Sequence, residues 1–310
     1  MKPVYLINGF LDSGKTSFIR FTLQQAYFQI KGTTLLILCE EGEEEYSEKV
    51  LNASKTIVHT LEDEAEFTPA NLLTLEKKYQ PERIIIEYNG MWNMKGLSLP
   101  FHWNIEQQIT CVDASTFPTY YSNMKSMVAE MIRKSELIIF NRCDTVMEEL
   151  GSYRRNIKAV NANADVIFEN AQGEINEIFE EDLPFDLKAD RIDLDDNNFG
   201  IWYIDVMDHI ERYEGKTISF VGMVMKPPGF PKGYFVPGRM AMTCCAEDMT
   251  FLGYACKWDG ADSLNEKDWV KVEGKIAKEY FKGYNGEGPV FTAEKAEKCG
   301  KPRNEIIGFN

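Results

Sequence analysis

The chain has 310 residues, 44% hydrophobic and 27% charged, which is typical of a folded protein of two domains and excludes disorder over most of its length. No run of about eighteen apolar residues occurs, so we expect no membrane insertion. The net charge of −15 lies mostly in the first 200 residues, because residues 201–310 carry 15 basic and 16 acidic side chains. An acidic surface repels a phosphate backbone, so nucleic acid is not an expected partner.

The seven cysteines are odd in number and irregularly spaced, which does not favour a secreted disulfide framework. The first residues have the pattern of a strand that leads into Gly9, and they lack the pattern of a signal peptide. We therefore expect a cytoplasmic protein with reduced thiols.

Short apolar runs alternate with helical patterns over the first 180 residues. The runs that we interpret as strands are residues 4–7, 34–38, 57–61, 84–86, 109–112, 137–140 and 166–168. The helical patterns are residues 15–31, 68–79 (with Thr68 as N-cap and Pro69 as first residue), 119–135 and 147–160. Strands that are apolar throughout are typical of a parallel sheet covered on both faces, so this order predicts a doubly wound α/β domain.

The pattern changes after residue 183, where a segment rich in aspartate precedes a helical pattern at 199–212. Strand-like runs follow at residues 217–225, 240–244, 251–256 and 269–276, with glycine and proline between them. Such a series predicts a small antiparallel barrel with an OB-like fold. We place the domain boundary near residue 190, which gives a P-loop domain at 1–190 and a β domain at 191–310.

A phosphate-binding motif, Gly-Phe-Leu-Asp-Ser-Gly-Lys-Thr, occupies residues 9–16 between the first strand and the first helix. In such a loop the backbone N–H groups surround phosphates, and the start of the helix adds partial positive charge. The motif predicts nucleotide binding by six residues, Asp12, Ser13, Gly14, Lys15, Thr16 and Ser17. Lys15 is expected to contact the β- and γ-phosphates as a catalytic residue, and the Thr16 hydroxyl to bind Mg²⁺.

A base-recognition motif, Asn141-Arg142-Cys143-Asp144, follows the strand at 137–140. GTPases commonly carry Asn-Lys-x-Asp at this point, and the aspartate accepts hydrogen bonds that guanine can donate and adenine cannot. Arg142 stands where the lysine is usual, and its planar guanidinium can stack on a base in a similar way. The pattern favours GTP, with an ordinary turn at a strand end as the alternative.

Further segments stand in a fixed order around these motifs: residues 39–43 (Cys-Glu-Glu-Gly-Glu), 84–90 (Ile-Ile-Ile-Glu-Tyr-Asn-Gly), 111–114 (Cys-Val-Asp-Ala), and 161–164 (Asn-Ala-Asn-Ala) with Gly173. Together they resemble the CobW-type GTPases, which are SIMIBI-class P-loop proteins of metal and cobalamin homeostasis. The resemblance covers residues 1–180 and implies slow GTP hydrolysis. It also implies that Glu87 closes the Walker B strand as a catalytic residue and a ligand of Mg²⁺, with an ion pair to Arg83 as the structural alternative.

The cysteine motif Cys-x-Cys-Cys of that family is missing here, because no cysteine lies between Glu43 and Glu87. The interval instead contains an acidic segment at 62–66, which we interpret as solvated surface. Zinc or another transition metal is therefore possible as a cofactor but has no such motif to support it. A soft-metal or redox site is possible at three cysteines of the β domain, although burial as small apolar residues is the favoured interpretation: Cys244, Cys245 and Cys256.

The second domain resembles an uncharacterised bacterial domain of proteins linked to predicted permeases, through residues 213–216, 221–224, 239–246 and 269–274. Two hypotheses for the whole chain follow. The first is a slow GTPase that acts on a client protein or a metal. The alternative is a nucleotide-dependent binding module whose β domain recognises a protein partner and whose hydrolysis is incidental, and an ATP-using kinase is more distant. The oligomeric state stays open.

Overall fold

A computed structural model describes residues 1–40, 42, 45–175, 183–243 and 249–309. The chain forms two compact units, residues 1–150 with 163–178 and residues 151–162 with 179–310. The boundary near residue 190 stays a prediction. Within the described residues, no helix is long and apolar enough to span a membrane.

The first unit contains an eight-stranded sheet whose strands are β1 Lys2–Asn8, β2 Thr34–Leu38, β3 Thr56–Thr60, β4 Arg83–Glu87, β5 Trp103–Asp113, β6 Leu137–Asn141, β7 Asp165–Asn170 and β8 Gly173–Glu174. Their order in the sheet is β3-β2-β4-β1-β5-β6-β7-β8. The first seven pair in parallel and β8 pairs antiparallel with β7. All seven strands predicted for this part of the chain are therefore present.

Both faces of this sheet are covered, as the apolar strands predict. Along β4, Ile84 and Ile86 belong to one core with Leu72 of the helix at Pro69–Tyr79, whereas Ile85 belongs to a second core with Ile19 of the helix at Lys15–Leu23. Side chains alternate between the two faces of a strand, so one apolar run supplies both cores. This arrangement confirms the doubly wound α/β fold.

The α-helices of the described chain are α1 Lys15–Leu23, α2 Glu48–Ala53, α3 Pro69–Tyr79, α4 Phe117–Asn123, α5 Lys125–Ile132, α6 Leu150–Val160 and α7 Phe199–Asp208. The prediction for α3 is confirmed, since the Thr68 side chain accepts a hydrogen bond from the backbone N–H of Asn71. The short α2 was not predicted. Its signal is Ser47, whose side chain accepts from the backbone N–H of Val50.

Three of the four helices predicted for the first 180 residues are too long. The helix expected at 15–31 ends at Leu23 because Phe28 turns onto the sheet, where its ring packs against Tyr5 and under the Arg83 guanidinium. The helix expected at 119–135 is two helices, α4 and α5, broken at Met124, whose φ of −131° is not helical. The helix expected at 147–160 begins with a 3₁₀ turn and becomes α-helical at Leu150.

The second unit is mainly β-structure. Its strands are β9 Arg191–Asp193, β10 Thr217–Met225, β11 Tyr234–Met242, β12 Met249–Gly253, β13 Ala255–Lys257, β14 Trp269–Phe281, β15 Gly286–Lys298 and β16 Ile306–Ile307. Five of them close into a barrel in the order β10-β11-β13-β15-β14. The core of the barrel includes Phe220, Val270 and Phe291, together with Trp202 of α7. The closed five-stranded barrel is consistent with the predicted OB-like fold.

Several boundaries in this unit differ from the prediction. The helix expected at 199–212 ends at Asp208, and a 3₁₀ turn follows it. The strand expected at 240–244 begins at Tyr234 and ends at Met242, and the run at 251–256 is two strands interrupted at Tyr254. The strand β15 was not predicted, because small and charged residues alternate along much of it. It has few of the large apolar side chains that mark a strand in a sequence.

Candidate functional site

The phosphate-binding loop connects β1 to α1 and contacts the ends of two other strands. Gly9 has a φ of +144°, and a Cβ atom there would lie 2.3 Å from the backbone oxygen of Cys111 in β5. Gly14 has a φ of +93°, and its Cβ would lie 2.5 Å from Nδ2 of Asn141 in β6. Only glycine allows both the backbone conformation and the close approach, so the two motif glycines hold the loop against the sheet.

Lys15 is a buried cation, with only 3% of its surface exposed. Its Nζ donates hydrogen bonds to the backbone oxygens of Gly9 (2.9 Å) and Phe10 (2.8 Å). The same ammonium forms an ion pair with Glu40, which follows β2. The Glu40 carboxylate therefore neutralises the Lys15 ammonium, which is the group expected to contact the phosphate oxygens.

Thr16 and Glu87, the two residues predicted to hold Mg²⁺, are in direct contact. The Thr16 hydroxyl donates to Oε1 of Glu87 at 2.7 Å, and the Tyr46 hydroxyl donates to Oε2 at 2.5 Å. Burial raises the pKa of Glu87, and the hydrogen bonds from Tyr46 and Thr16 oppose that rise. Hydroxyl and carboxylate oxygens are hard donors, so this pair suits Mg²⁺.

Arg83, the alternative partner of Glu87, lies at the other end of the same strand and bonds elsewhere. Its Nε donates to the Thr34 hydroxyl at 2.9 Å, and its Nη1 donates to the backbone oxygen of Phe28 at 2.5 Å. These contacts hold the Arg83 guanidinium away from Glu87.

The base-recognition motif begins at the end of β6 and contacts the phosphate-binding loop. The Asn141 side-chain amide donates to the backbone oxygen of Ser13 at 2.7 Å. Asp144 is exposed, and its Oδ1 accepts a hydrogen bond from the backbone N–H of Ala171 at 3.4 Å. The motif therefore lies between the loop at 9–16 and the turn that follows β7.

Arg142 links the base motif to β5. Its Nη1 donates to the backbone oxygen of Asp12 at 2.7 Å and to Oδ2 of Asp113 at 2.5 Å. Burial would raise the pKa of Asp113, but hydrogen bonds from Ser115 and Arg142 outweigh it and lower that pKa. Half of the Arg142 side chain is exposed, which leaves the guanidinium accessible to a base.

A cleft brings the phosphate side of the predicted site together. The residues that line it are Leu11, Asp12, Gly14, Lys15, Thr16, Ser17, Glu40, Gly42, Glu87 and Arg142. Near it, two buried polar atoms, Oγ of Ser13 and Oδ1 of Asn141, have no hydrogen-bond partner among the residues that the structure describes. The lining itself offers the Lys15 ammonium and the hydroxyl groups of Thr16 and Ser17, which can donate to phosphate oxygens and therefore fit a nucleotide. The lining does not include Asn141 or Asp144.

The two residues that sequence reasoning missed are Glu40 and Tyr46. Glu40 belongs to the segment 39–43 quoted for the family resemblance, without a role assigned to its side chain. Tyr46 stands near a run of glutamates that has no motif, so the sequence carried no signal for its contact with Glu87.

Of the three cysteines considered for a soft-metal site, the structure describes Cys256. In the described parts of the chain, no group of three or more His, Cys, Asp or Glu side chains could hold a metal ion. Cys256 is buried in β13, and burial raises the pKa of its thiol. Cys244 and Cys245 lie outside the described residues.

Carboxylates of the acidic segment at 62–66 accept hydrogen bonds from backbone N–H groups. Asp63 accepts from the backbone N–H of Ala65 at 2.8 Å, and Glu66 accepts from that of Glu62 at 3.0 Å. Glu64 accepts from the backbone N–H of Asn93 at 2.8 Å. Three of these carboxylates therefore bond to nearby backbone and hold a surface turn.

Comparison with known proteins gives two family matches and a set of solved structures. Residues 3–168 match the model of the CobW/HypB/UreG nucleotide-binding domain, and residues 170–307 match that of the DUF1980 C-terminal domain. No curated protein matches the chain.

Three similar structures illustrate the relatives. HypB, a hydrogenase maturation factor of Archaeoglobus fulgidus, is 16% identical over 55% of this chain and 82% of its own, with a TM-score of 0.39. The Zn(II)-bound YjiA GTPase of E. coli is 23% identical over 56% and 59% (TM-score 0.41). HypB from Helicobacter pylori in complex with nickel is 14% identical over 55% and 80% (TM-score 0.35).

The first match covers more than half of the chain, and the phosphate-binding loop, Glu87 and the base motif all lie within it. The second covers the barrel. The chain therefore belongs to the CobW/HypB/UreG family of P-loop GTPases and carries a DUF1980 C-terminal domain after its nucleotide-binding domain.

Proposed function

We propose that the protein binds GTP together with Mg²⁺, hydrolyses the GTP slowly, and serves metal or cofactor homeostasis. The observation that carries the proposal is the convergence of Lys15, Thr16 and Glu87 on one cleft of a chain that belongs to a P-loop GTPase family. A buried cation beside hard oxygen donors is the combination that binding a triphosphate with its magnesium ion requires.

The roles on the phosphate side follow from the geometry of the loop. The backbone of Asp12, Ser13, Gly14 and Ser17 would surround the phosphates at the start of α1. Lys15 would exchange Glu40 for the β- and γ-phosphate oxygens. Thr16 and Glu87 would hold Mg²⁺, which supplies neutralisation of the charge that develops on the leaving phosphate.

The base side is assigned to the motif at the end of β6. Asp144 would accept hydrogen bonds from guanine, since its carboxylate is exposed and its hydrogen bond from Ala171 is long. Arg142 would stack on the base from its position between Asp12 and Asp113. Asn141 would fix the motif to the phosphate-binding loop through Ser13.

The role in metal homeostasis is proposed from the family to which the chain belongs, because that family is related to metallochaperone GTPases. The segment between Glu43 and Glu87 lacks the thiolates for a zinc site beside the nucleotide. Any soft-metal site is accordingly proposed for Cys244, Cys245 or Cys256, and metal analysis of the full chain tests it. We propose a cytoplasmic localisation because the odd number and irregular spacing of the cysteines favour reduced thiols.

A second candidate is a binding module in which the barrel recognises a protein partner and hydrolysis is incidental. It is favoured by the separate core of the barrel and its own family match. The two candidates differ in whether bound nucleotide is turned over.

Turnover measurements with GTP and with ATP, each with and without Mg²⁺, test the proposal. We expect phosphate release from GTP that needs Mg²⁺ and is slower in Glu87→Gln, with the exposed Glu148→Gln as the matched control. Tight Mg²⁺·GTP binding without release would favour the binding module. Equal use of ATP and GTP would contradict the guanine assignment, and no binding of either would contradict the proposal.

A further inference from the structure

Tyr46 is a partly buried side chain that the proposed reaction does not yet use. It lies between β2 and α2, directly before the N-cap Ser47. Its ring packs against the core on the α1 face of the sheet, where Phe18 and Val50 pack as well. A tyrosine has two side-chain torsions, so a packed ring delivers its hydroxyl to one fixed point. That point is Oε2 of Glu87, 2.5 Å away.

Glu87 is thereby held from both sides. Thr16 donates to one carboxylate oxygen and Tyr46 to the other, at 2.7 Å and 2.5 Å. Only 4% of Glu87 is exposed, so little water is available to hydrate its charge. In such surroundings a hydrogen bond to the ionised oxygen is roughly twice as strong as one between neutral groups. The orientation of the carboxylate therefore depends on both hydroxyls.

The two hydroxyls have different positions relative to the cleft. Thr16 and Glu87 line the cleft, whereas Tyr46 is absent from its lining and reaches Glu87 from the core. A ligand in the cleft would meet Thr16 and Glu87 directly and would reach Tyr46 only through Glu87. The contact of Tyr46 with the site is therefore indirect.

We propose that Tyr46 is a positioning residue that turns the Glu87 carboxylate toward Thr16 so that both can hold Mg²⁺. The inference rests on the proposed function, because it assigns Thr16 and Glu87 to the metal. It adds that the segment between β2 and α2 takes part in metal binding, through one hydroxyl and without contact to the nucleotide.

The substitution Tyr46→Phe tests this inference, since it removes the hydroxyl and keeps the packed ring. The protein is loaded with GDP, and its affinity for Mn²⁺, a paramagnetic substitute for Mg²⁺, is measured by electron paramagnetic resonance. We expect affinity about tenfold weaker than wild type, the size of one hydrogen bond to a charged group. Affinity for GDP in the presence of a chelator should not change. The matched control is Tyr27→Phe, at a residue that is 80% exposed.

A double-mutant cycle with Glu87→Gln separates positioning from a general structural effect. In the Glu87→Gln protein, Tyr46→Phe should weaken Mn²⁺ binding by less than about twofold, because the carboxylate that it orients is gone. The same tenfold loss in both backgrounds would overturn the inference. Unchanged Mn²⁺ affinity in Tyr46→Phe, or weaker GDP binding without metal, would overturn it as well. A wild-type protein that binds no nucleotide would instead overturn the proposed function.

Discussion

Lys15 in the first unit and Arg239 in the second are both almost completely buried cations, and each is paired with a carboxylate. Arg239 donates to Asp196 at 2.8 Å and to the backbone oxygens of Val221 (3.4 Å) and Asn304. Its guanidinium lies 5.5 Å from the centroid of the Trp269 ring. These partners tie β11 to β10, to the loop before α7 and to the carboxyl-terminal segment, so Arg239 stabilises the barrel.

Lys15 differs in what surrounds the pair. Its partner Glu40 lines a cleft together with the loop that matches a phosphate-binding motif, so we expect phosphate oxygens to replace it there. Burial and an ion pair are thus common to both cations, and Asp196 and Arg239 line a cavity as well. What distinguishes Lys15 is the phosphate-binding loop around it, so a buried ion pair beside a cavity does not by itself identify a binding site.

The largest expected effect concerns the barrel. Arg239→Met leaves Asp196 without its cation and removes the bonds to Val221 and Asn304, so we expect the free energy of unfolding to fall by about 3 kcal/mol. Urea unfolding followed by tryptophan fluorescence measures it. The exposed Arg303→Met is the control and should change stability by less than about 0.5 kcal/mol. Stability of Arg239→Met close to wild type would contradict the structural role.

The next prediction concerns the exchangeable cation. Lys15→Ala should weaken GTP binding on the order of hundredfold, because a charge-assisted contact to the phosphates is lost. The fold should remain, with circular dichroism like that of wild type, since Glu40 can then turn to solvent. Titration with a fluorescent GTP analogue measures the affinity, with the exposed Lys49→Ala as control. If a folded Lys15→Ala protein bound GTP as tightly as wild type, Lys15 would not bind phosphate and would no longer differ in role from Arg239.

Base recognition gives a third prediction within the same site. Asp144→Asn should weaken GTP binding by about thirtyfold and shift preference toward xanthine nucleotides, because the amide donates where guanine needs an acceptor. Competition of GTP, XTP and ATP for the labelled analogue measures the shift. Glu169→Gln, a nearby carboxylate to which we assign no nucleotide contact, is the control. A variant that keeps the wild-type order of preference would contradict the assignment of Asp144.

The sequence predicted the phosphate side of this site well because its motif is continuous. Residues 9–17 carry the loop, the cation and the start of α1 in one stretch, and seven short apolar runs give the strands around it. Parallel strands end at one edge of a sheet, so Glu87 at the end of β4 falls beside the loop that follows β1. Local pattern and topology were sufficient there.

The contacts of Glu40 and Tyr46 depend on tertiary packing and could not be predicted in the same way. Leu38 pairs with Glu87 across β2 and β4, which brings the chain after β2 toward the site. The pairing does not determine which of the acidic residues after Leu38 turns to Lys15. The end of α1 was missed for a similar reason, since the contact of Phe28 with Tyr5 and Arg83 joins residues far apart in the sequence.

The smallest expected effect is a gain, and it tests the comparison most directly. If Glu40 must leave Lys15 before phosphates bind, Glu40→Gln removes the competitor and should tighten GTP binding by about tenfold. The measurement uses the fluorescent GTP analogue with a chelator present, so that no metal ion contributes. We expect no such gain when the Asp196 carboxylate is removed from Arg239, because the phosphate-binding motif lies at residues 9–16 and not beside that pair.

Two controls separate this exchange from a general loss of negative charge. Glu48→Gln removes one charge at the exposed start of α2 and should change the affinity by less than about twofold. In a Lys15→Ala background, Glu40→Gln should lose most of its gain, because the cation for which carboxylate and phosphate compete is absent. An equal gain in both backgrounds would mean that Glu40 acts by long-range repulsion alone. Unchanged affinity in the single variant would mean that the Lys15–Glu40 pair presents no barrier to the nucleotide, and the distinction from Arg239 would then rest on the phosphate-binding loop alone.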